Sequence, residues 1–253
     1  IPRAARAAIR RLHSQFGHCP NSVLIEILKN AKTDENYVRG MKFFKCDDCE
    51  KVKTLPKQTN KVSIPKPMEF NHTVGIDINY LCDVEGTTVQ FMNIVCVATS
   101  LQIQVPLMIG KGTPSSQLCY NTFMDKWVEH YGYPKIIRCD RGLHNRGIFY
   151  TELAAAGVQI SNCGLEAPYQ IGKTEREGDI WKTMARKIIE EKQIRGITDM
   201  RMMASELNAV KMDLSRVSGF SPSQWVLGRQ PRRGGGDQCD DESFYHIGSQ
   251  QAR

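Results

Sequence analysis

The chain has 253 residues, of which 41% are hydrophobic and 24% charged, and its formal net charge is +7. This length suits one medium-sized domain and a smaller one, and the hydrophobic content supports a core. No apolar run approaches the roughly 18–20 residues that a bilayer-spanning helix needs, so we expect no membrane partner. The positive charge favours a polyanionic partner without identifying one.

Nine cysteines, an odd number, are spread along the chain, and several lie in apolar runs such as "NIVCVA". Because no signal peptide precedes them, we interpret most of them as reduced, buried, intracellular thiols. The chain starts at Ile1 rather than at Met, so we expect it to be a piece of a longer protein.

Residues 1–55 predict a small helical domain. "AARAAIRRLHSQFG" contains helix formers throughout, and "NSVLIEILKNAK" carries an apolar stripe behind a cap at Asn21 or Ser22. Residues 56–68 are polar and rich in Lys and Pro without periodicity, which indicates a linker.

A different pattern begins at residue 69 and continues to residue 217. Three β-rich runs come first, and a helix follows that is capped by Ser115 and stopped by Gly132 and Pro134. Then come a strand, a helix, a fifth strand and two longer helices, over about 173–192 and 198–217. This order predicts an α/β domain with a mixed five-stranded sheet. Residues 218–253 are interpreted as an extension of this domain and a flexible, Gly-rich tail.

Four candidate zinc ligands lie in the helical domain, namely His13, His18, Cys46 and Cys49. The two residues between the cysteines allow both thiolates to reach one ion, and zinc prefers four such ligands in a tetrahedron. A segment of about 55 residues has little core of its own, and a metal would compensate for that. The alternative is that the cysteines are merely close in a loop and the histidines lie on the surface.

Two acidic residues occupy unusual places in the predicted sheet. Asp77 lies inside the strand "VGIDINY", where a buried acid needs a partner or a cation. Asp140 closes the strand "KIIRCD", at the strand end where open α/β sheets bind ligands. If these two strands are neighbours, both acids reach the same edge of the sheet.

A third acid opens the next long helix. At about 100° per residue, Glu175 projects away from the packing face whereas Glu177 points toward it. The predicted packing face consists of Ile180, Trp181, Met184, Ala185 and Ile188. Basic residues accompany Glu175 on its side of the helix, as expected beside a phosphate. The alternative is a solvated face with unlike charges at helical spacing, which is common.

These features together resemble the integrases of LTR retrotransposons, especially the copia-like group, and more distantly those of retroviruses. The resemblance rests on the His-His-Cys-Cys cluster, on Asp77 after "PKPMEFNH", on "YGYPKIIRCDRG", on "PYQIGKTER", and on "SGFSPSQWVLGRQPR" farther along. The matches run from His13 to about Arg232. The spacing between Asp140 and Glu175 is one residue shorter than is usual in the family, and "RGLHNRGIF" is an unusual loop.

The resemblance implies an RNase H-like catalytic core that joins the DNA copy of an element to host DNA. Asp77, Asp140 and Glu175 would hold two Mg²⁺ or Mn²⁺ ions, and the His-Cys cluster would hold one structural zinc. Phosphate contacts would come from four bases in the helix, Lys173, Arg176, Lys182 and Arg186, and ordinary surface bases are the alternative. Trp181 and Trp225 are interpreted as core residues rather than as base-stacking ones.

The resemblance also implies self-assembly, a polyprotein origin with other polyprotein products as possible partners, and action in the nucleus after a virus-like-particle stage in the cytoplasm. Three other interpretations stay open at this point. The chain could be a cut-and-paste transposase of the same fold, a non-catalytic zinc-containing DNA-binding protein from a decayed element, or an unrelated α/β domain.

Overall fold

The computed structural model describes residues 3–52, 69–140, 142, 146–162, 172–217 and 219–228. The predicted linker over 56–68 and the predicted tail beyond residue 228 lie outside the described residues. The seven cysteines within the described ranges are free thiols. No helix in those ranges has the length and apolar character to cross a bilayer.

The element order agrees with the sequence prediction of a helical region followed by an α/β core. The helices before the sheet are α1 (Arg3–Gln15), α2 (Asn21–Asn30), α3 (Glu35–Phe43) and α4 (Asp47–Lys51). The core contains β1 (Thr73–Cys82), β2 (Thr88–Cys96), β3 (Gln102–Ile109), α5 (Ser116–Phe123), a π-helical turn (Met124–Val128), α6 (Glu129–Tyr131), β4 (Ile136–Cys139), α7 (Ile148–Ala155), β5 (Gln159–Asn162), α8 (Gly172–Lys192), α9 (Gly196–Leu214) and α10 (Pro222–Leu227).

The five strands form one mixed sheet, as predicted, and their order is β3-β2-β1-β4-β5. The first three strands pair antiparallel, while β1 with β4 and β4 with β5 pair parallel. The central strand β1 therefore belongs to both parts of the sheet, the antiparallel part formed with β2 and β3 and the parallel part formed with β4 and β5. Its parallel partner β4 is reached by a crossover through α5 and α6, as parallel pairing requires.

Helices cover both faces of the sheet. On one face, Val74 and Ile76 of β1 pack in a cluster with Trp127 and Phe149 of the crossover helices. On the other face, α8 and α9 pack on the sheet through a cluster that includes Phe91 and Trp181. Because side chains alternate along a strand, Gly75, Asp77 and Asn79 share the face that α8 covers.

Helix α8 approaches β1 very closely. A Cβ atom on Gly75 would lie 1.8 Å from Oγ1 of Thr174, and one on Gly178 would lie 2.8 Å from Nδ2 of Asn79. The two glycines, one in the strand and one in the helix, therefore allow this helix to lie directly over the strand that carries Asp77.

The first four helices form a small core that packs against α8 and α9 of the sheet domain. Ile9, Leu24 and Met41 are buried in this core, and Leu214 of α9 joins it. The chain turns at Gly17, where a Cβ atom would lie 2.9 Å from Cε of Met184 in α8. The helical region is thus in direct contact with α8 and α9.

Several local predictions were wrong. Pro20 occupies the cap position of α2 without a side-chain cap, and Asn21 donates a hydrogen bond to the carbonyl oxygen of Phe44 instead. Ile180 is 42% exposed and does not belong to the packing face of α8. Trp225 is 41% exposed, its ring N–H donates to the carbonyl oxygen of Val217, and it is not a core residue.

Other local predictions were right. Ser115 caps α5 by accepting a hydrogen bond from the backbone N–H of Leu118. The remaining residues predicted for the packing face of α8, Trp181, Met184, Ala185 and Ile188, are buried. The helix predicted over 198–217 is present, but its bounds differ. It begins at Gly196 and ends at Leu214, because the backbone becomes extended at Ser215.

The close approach of α8 to β1 predicts that adding one methyl group lowers the free energy of unfolding at Gly75 but not at Gly172. Gly75→Ala places a Cβ against Thr174, and overpacking of this kind lowers the free energy of unfolding by about 1–3 kcal/mol. Gly172→Ala is the matched control, because a Cβ there meets nothing within 4 Å. Urea unfolding of both variants checks the prediction, and equal stability of the two would contradict it.

Candidate active site and metal centre

The parallel pairing of β1 with β4 brings the first two acids to one level of the sheet. Ile76 pairs with Cys139 at the last position of the register, so Asp77 and Asp140 follow on adjacent strands. The backbone N–H of Ile78 donates to Oδ1 of Asp77 at 2.8 Å, and that of Gly142 donates to Oδ1 of Asp140 at 3.1 Å. Each carboxylate is therefore oriented by a backbone donor.

The third acid reaches the same place from the first turn of α8. Glu175 is exposed, whereas Glu177 turns inward and pairs with Lys211 at 2.7 Å, as the helical periodicity predicts. Asp77 and Glu175 line a cleft of about 330 Å³ together with Asp179 and Lys182. The cleft is open to solvent.

The electrostatics of Asp77 show that negative charge is concentrated at this cleft. Burial raises the pKa of Asp77 to about 6, and repulsion by Asp140 and Glu175 acts in the same direction. The N–H of Ile78 and the ammonium group of Lys182 oppose the rise. A bound cation would offset both the burial and the repulsion, as in other carboxylate sites for hard divalent ions.

The three acids stand farther apart than the donors of the His-Cys cluster. In the part of the chain that the structure describes, the His-Cys cluster is the one group whose ligand atoms all lie within 4.8 Å of one another. Like charges repel when no cation lies between them, which favours the wider spacing of the carboxylates.

A buried polar network holds the first turn of α8 in place. Asn93 donates to the carbonyl oxygen of Thr174 at 3.0 Å and accepts from Gln102 at 2.8 Å. Lys211, 3% exposed, donates to Gln102 and to the carbonyl oxygen and the carboxylate of Glu177. The buried ammonium group thus has three acceptors, although burial still lowers the pKa of Lys211 against the attraction of Glu177. The bonds to Thr174 and Glu177 fix the backbone on both sides of Glu175.

Sequence analysis did not identify this network. The available signal was Lys211 itself, a base in the otherwise apolar segment "NAVKM" of α9. A lysine is rarely buried unless it is paired, so its position indicated a buried acid on a neighbouring element.

The four predicted phosphate-binding bases lie in different surroundings. Lys173 is partly buried and donates to the carbonyl oxygen of Val97 at 2.6 Å, a bond that orients its ammonium group. Lys182 lines the acidic cleft and pairs with Asp179 at 2.8 Å. Arg176 and Arg186 are exposed.

A second groove borders the cleft, and its volume of about 580 Å³ is larger than that of the cleft. Tyr80, 48% exposed, lines both. Lys111 and Arg186 supply positive charge to the groove, and Leu81 supplies part of its apolar surface. The groove therefore continues from the acidic cleft as an aromatic and basic surface.

The His-Cys cluster is assembled as the spacing predicts. Nε2 of His13 lies 3.1 Å from Sγ of Cys49, while Nδ1 of His18 lies 3.5 Å from Sγ of Cys46 and 3.6 Å from Sγ of Cys49. Zinc bound to two sulfurs and two nitrogens places neighbouring donors roughly 3.5 Å apart. The donor set and its dimensions therefore fit one tetrahedral zinc ion.

The protonation chemistry of the cluster also fits a metal. Burial lowers the pKa of His13 to about 4, so this imidazole is neutral and can act as a ligand near neutral pH. Burial raises the pKa of Cys49 to about 11, against the attraction of Lys187. A metal ion is the charge that would stabilise the Cys49 thiolate in this environment.

Comparisons with known proteins agree with the observed fold. Neither a protein-family model nor a curated protein sequence matches the chain. A chain of the simian T-cell lymphotropic virus intasome, solved in complex with PP2A regulatory subunit B56 gamma, superposes with a TM-score of 0.56 at 17% identity. The superposition covers 89% of the present chain and 78% of the viral one. The chain therefore shares its fold with this chain of the viral intasome.

Two structures of the HTLV-2 integrase catalytic core domain in complex with magnesium are also similar. The dimeric form has a TM-score of 0.48, with 61% of this chain and 93% of that chain covered. The trimeric form has a TM-score of 0.49, with 61% and 95% covered. Both are 15% identical to the chain. The predicted fold class, an RNase H-like core after a small helical domain with a His-Cys cluster, is confirmed.

The raised pKa of Asp77 predicts a specific pH dependence in protein that holds zinc but no magnesium. A raised carboxyl pKa in the folded state means that stability from this group is present at low pH and is lost as the pH rises through about 6. Asp77→Asn removes this loss, so we expect it to raise the free energy of unfolding near neutral pH by at most about 3 kcal/mol.

Urea unfolding at about pH 5 and about pH 7.5 measures this effect. The advantage of the Asp77→Asn variant should shrink at the lower pH. Asp125→Asn, at an exposed acid far along the chain from the cleft residues, is the control and should behave like the wild type. A variant that is less stable than the wild type at the higher pH would contradict the prediction.

Proposed function

We propose that the chain is the integrase of a copia-like LTR retrotransposon and catalyses metal-dependent DNA strand transfer. The observation that supports this proposal is the register of β1 and β4, in which Asp77 and Asp140 directly follow the paired residues Ile76 and Cys139 on adjacent strands. Asp77 and Glu175 line one open cleft, and Asp140 is close enough to raise the pKa of Asp77 by repulsion. Carboxylates in such an arrangement suit the binding of hard divalent cations. The integrase fold supports the proposal independently of these residues.

In this proposal Asp77, Asp140 and Glu175 hold two Mg²⁺ or Mn²⁺ ions. Such ions, when bound, neutralise a phosphodiester and stabilise the attacking and leaving oxygens. The chain's own contribution is to orient the carboxylates through the N–H groups of Ile78 and Gly142, and to place the cation of Lys182 beside them. The nucleophile would be water in end processing and a DNA 3′-hydroxyl in strand transfer, so no covalent protein intermediate is needed.

DNA would lie along the groove that continues from the cleft. Tyr80 offers an exposed ring on which a base can stack, and Lys111 and Arg186 offer charge for phosphates. Arg186 follows Lys182 by one helical turn on the same helix, so their ammonium and guanidinium groups can contact successive phosphates. Arg176 and Lys173 remain candidate contacts at the start of the helix.

Further parts of the proposal rest on the sequence resemblance. They are the assembly into multimers, the origin in a polyprotein whose other products are possible partners, and the action in the nucleus after a virus-like-particle stage in the cytoplasm. The proposed division into a zinc-binding domain over 1–55, a linker over 56–68 and a catalytic core over 69–217 takes its bounds from the local sequence pattern and only the roles of its parts from the resemblance. A cut-and-paste transposase and a non-catalytic DNA-binding protein from a decayed element are the alternatives that strand-transfer assays separate.

Asp140→Asn tests the catalytic role of the acids. Loss of one metal-binding carboxylate should abolish strand transfer in Mg²⁺, measured with a short duplex that carries a recessed 3′ end, while the circular dichroism of the protein stays unchanged. Asp199→Asn, at an exposed acid of α9, is the control and should leave the activity intact. Full activity of the Asp140→Asn variant would reject the metal assignment, and an inactive wild type would favour the decayed-element alternative.

Arg186→Ala tests the proposed DNA path. A lost phosphate contact should weaken binding to all sequences alike and reduce the slope of log affinity against log salt by about 1. Arg201→Ala removes the same charge from an exposed position on α9 outside the groove and serves as the control. Fluorescence anisotropy over a salt series measures both slopes, and equal slopes for the two variants would contradict the assignment.

A further inference from the structure

The His-Cys cluster has an acidic neighbour that comes from the catalytic core. Glu191 lies in the last turn of α8, the helix whose first turn carries Glu175. Its Oε2 atom is 2.8 Å from Nε2 of His18, and both of its carboxylate oxygens accept from the hydroxyl of Ser14, at 2.8 and 2.9 Å. A residue of one domain thus contacts a candidate zinc ligand of the other.

The geometry assigns separate roles to the two nitrogens of His18. Nδ1 faces the thiol groups of Cys46 and Cys49, and Nε2 faces Glu191 on the opposite side of the ring. His18 is 1% exposed, so in the folded chain Glu191 rather than bulk water is the partner of Nε2. A proton on Nε2, donated to Glu191, leaves the lone pair of Nδ1 for a metal ion. Zinc-bound histidines commonly have such a carboxylate partner, which fixes the tautomer and strengthens the ligand.

We propose that Glu191 is the outer partner of the zinc ligand His18, and that zinc binding is thereby coupled to docking of the helical domain on α8. The inference rests on zinc binding by the His-Cys cluster and is independent of the DNA reaction. Glu191 is not itself a ligand in this arrangement, because His18 stands between it and the thiol groups.

Other contacts at this interface act in the same direction. Lys187, one turn before Glu191, donates to the carbonyl oxygen of His18 at 3.1 Å and favours the thiolate of Cys49. A cation beside a thiolate supports the deprotonated form that zinc requires. Helix α8 thus provides both an acceptor for the histidine and a positive charge for the cysteine.

The interface also contains an exposed ion pair that does not touch the His-Cys cluster, and this pair provides a control for the effect of Glu191. Glu190, the neighbour of Glu191, pairs with Lys51 at 2.9 Å on a more exposed part of the surface. This pair joins the same two parts of the chain but does not touch a candidate ligand. Exposed ion pairs contribute little to stability, so its loss should change little.

Zinc affinity of the full chain, measured by competition with a chromophoric chelator, tests the assignment. We expect Glu191→Ala to weaken zinc binding about 10- to 100-fold, the usual effect of losing an outer carboxylate, and Glu190→Ala to leave it unchanged. Glu191→Gln should give an intermediate value, because its amide oxygen still accepts a hydrogen bond from His18. Equal affinities of the Glu191→Ala and Glu190→Ala variants would overturn the proposal.

Hydrogen exchange of the wild-type chain provides a second test that needs no variant. Verified removal of zinc should speed amide exchange in α1 and also in the last two turns of α8, while exchange in β4 stays the same. Unchanged exchange in α8 after zinc removal would overturn the coupling even if α1 unfolds. Neither measurement involves DNA, so a failure of the strand-transfer proposal would leave both results interpretable.

Discussion

The contact between α8 and β1 is the constraint on which the rest of the structure depends. Gly75 in the strand and Gly178 in the helix remove the side chains that would separate the two elements, so Thr174 and Asn79 fill the space instead. The helix can therefore bring Glu175 over Asp77 in the strand below. A larger residue at either glycine would displace the helix and move Glu175 away from Asp77, with which it lines the cleft.

The buried network behind this contact explains why the first turn of α8 has a defined position. A helix start is normally a place of fraying, because its first backbone N–H groups have no partners within the helix. Here Asn93 binds the carbonyl oxygen of Thr174, and Lys211 binds that of Glu177. The backbone of the turn that carries Glu175 is thus held by side chains of β2 and α9, while the carboxylate itself faces solvent.

Helix α8 also connects the two candidate metal centres. Glu175 and Glu191 are separated by about 24 Å along the helix axis, one at the acidic cleft and the other against His18. The helical domain also packs on this helix, because Gly17 lies against Met184 of α8. This apolar contact lies between Glu175 and Glu191 along the helix. A rigid helix that contacts both centres is a physical route by which occupation of one could influence the geometry of the other.

The sequence by itself determined the secondary-structure order and the candidate donors. Periodicity placed Asp77 in a strand and turned Glu175 outward and Glu177 inward, because a strand alternates with period 2 and a helix with period 3.6. The donor residues of the His-Cys cluster could be named in advance because two short spacings bring each pair together. The division of the chain into a helical part and an α/β part also followed from local pattern alone.

Only the tertiary structure decided which of these residues meet. The pairing of β1 with β4 and the depth at which α8 packs depend on contacts between residues far apart in the chain, and no local pattern encodes them. For the same reason the sequence placed Ile180 and Trp225 in the core, where the structure leaves both partly exposed, and gave no partner to Lys211. The contact of Glu191 with His18 belongs to this class too, since it exists only once the two parts of the chain have packed together.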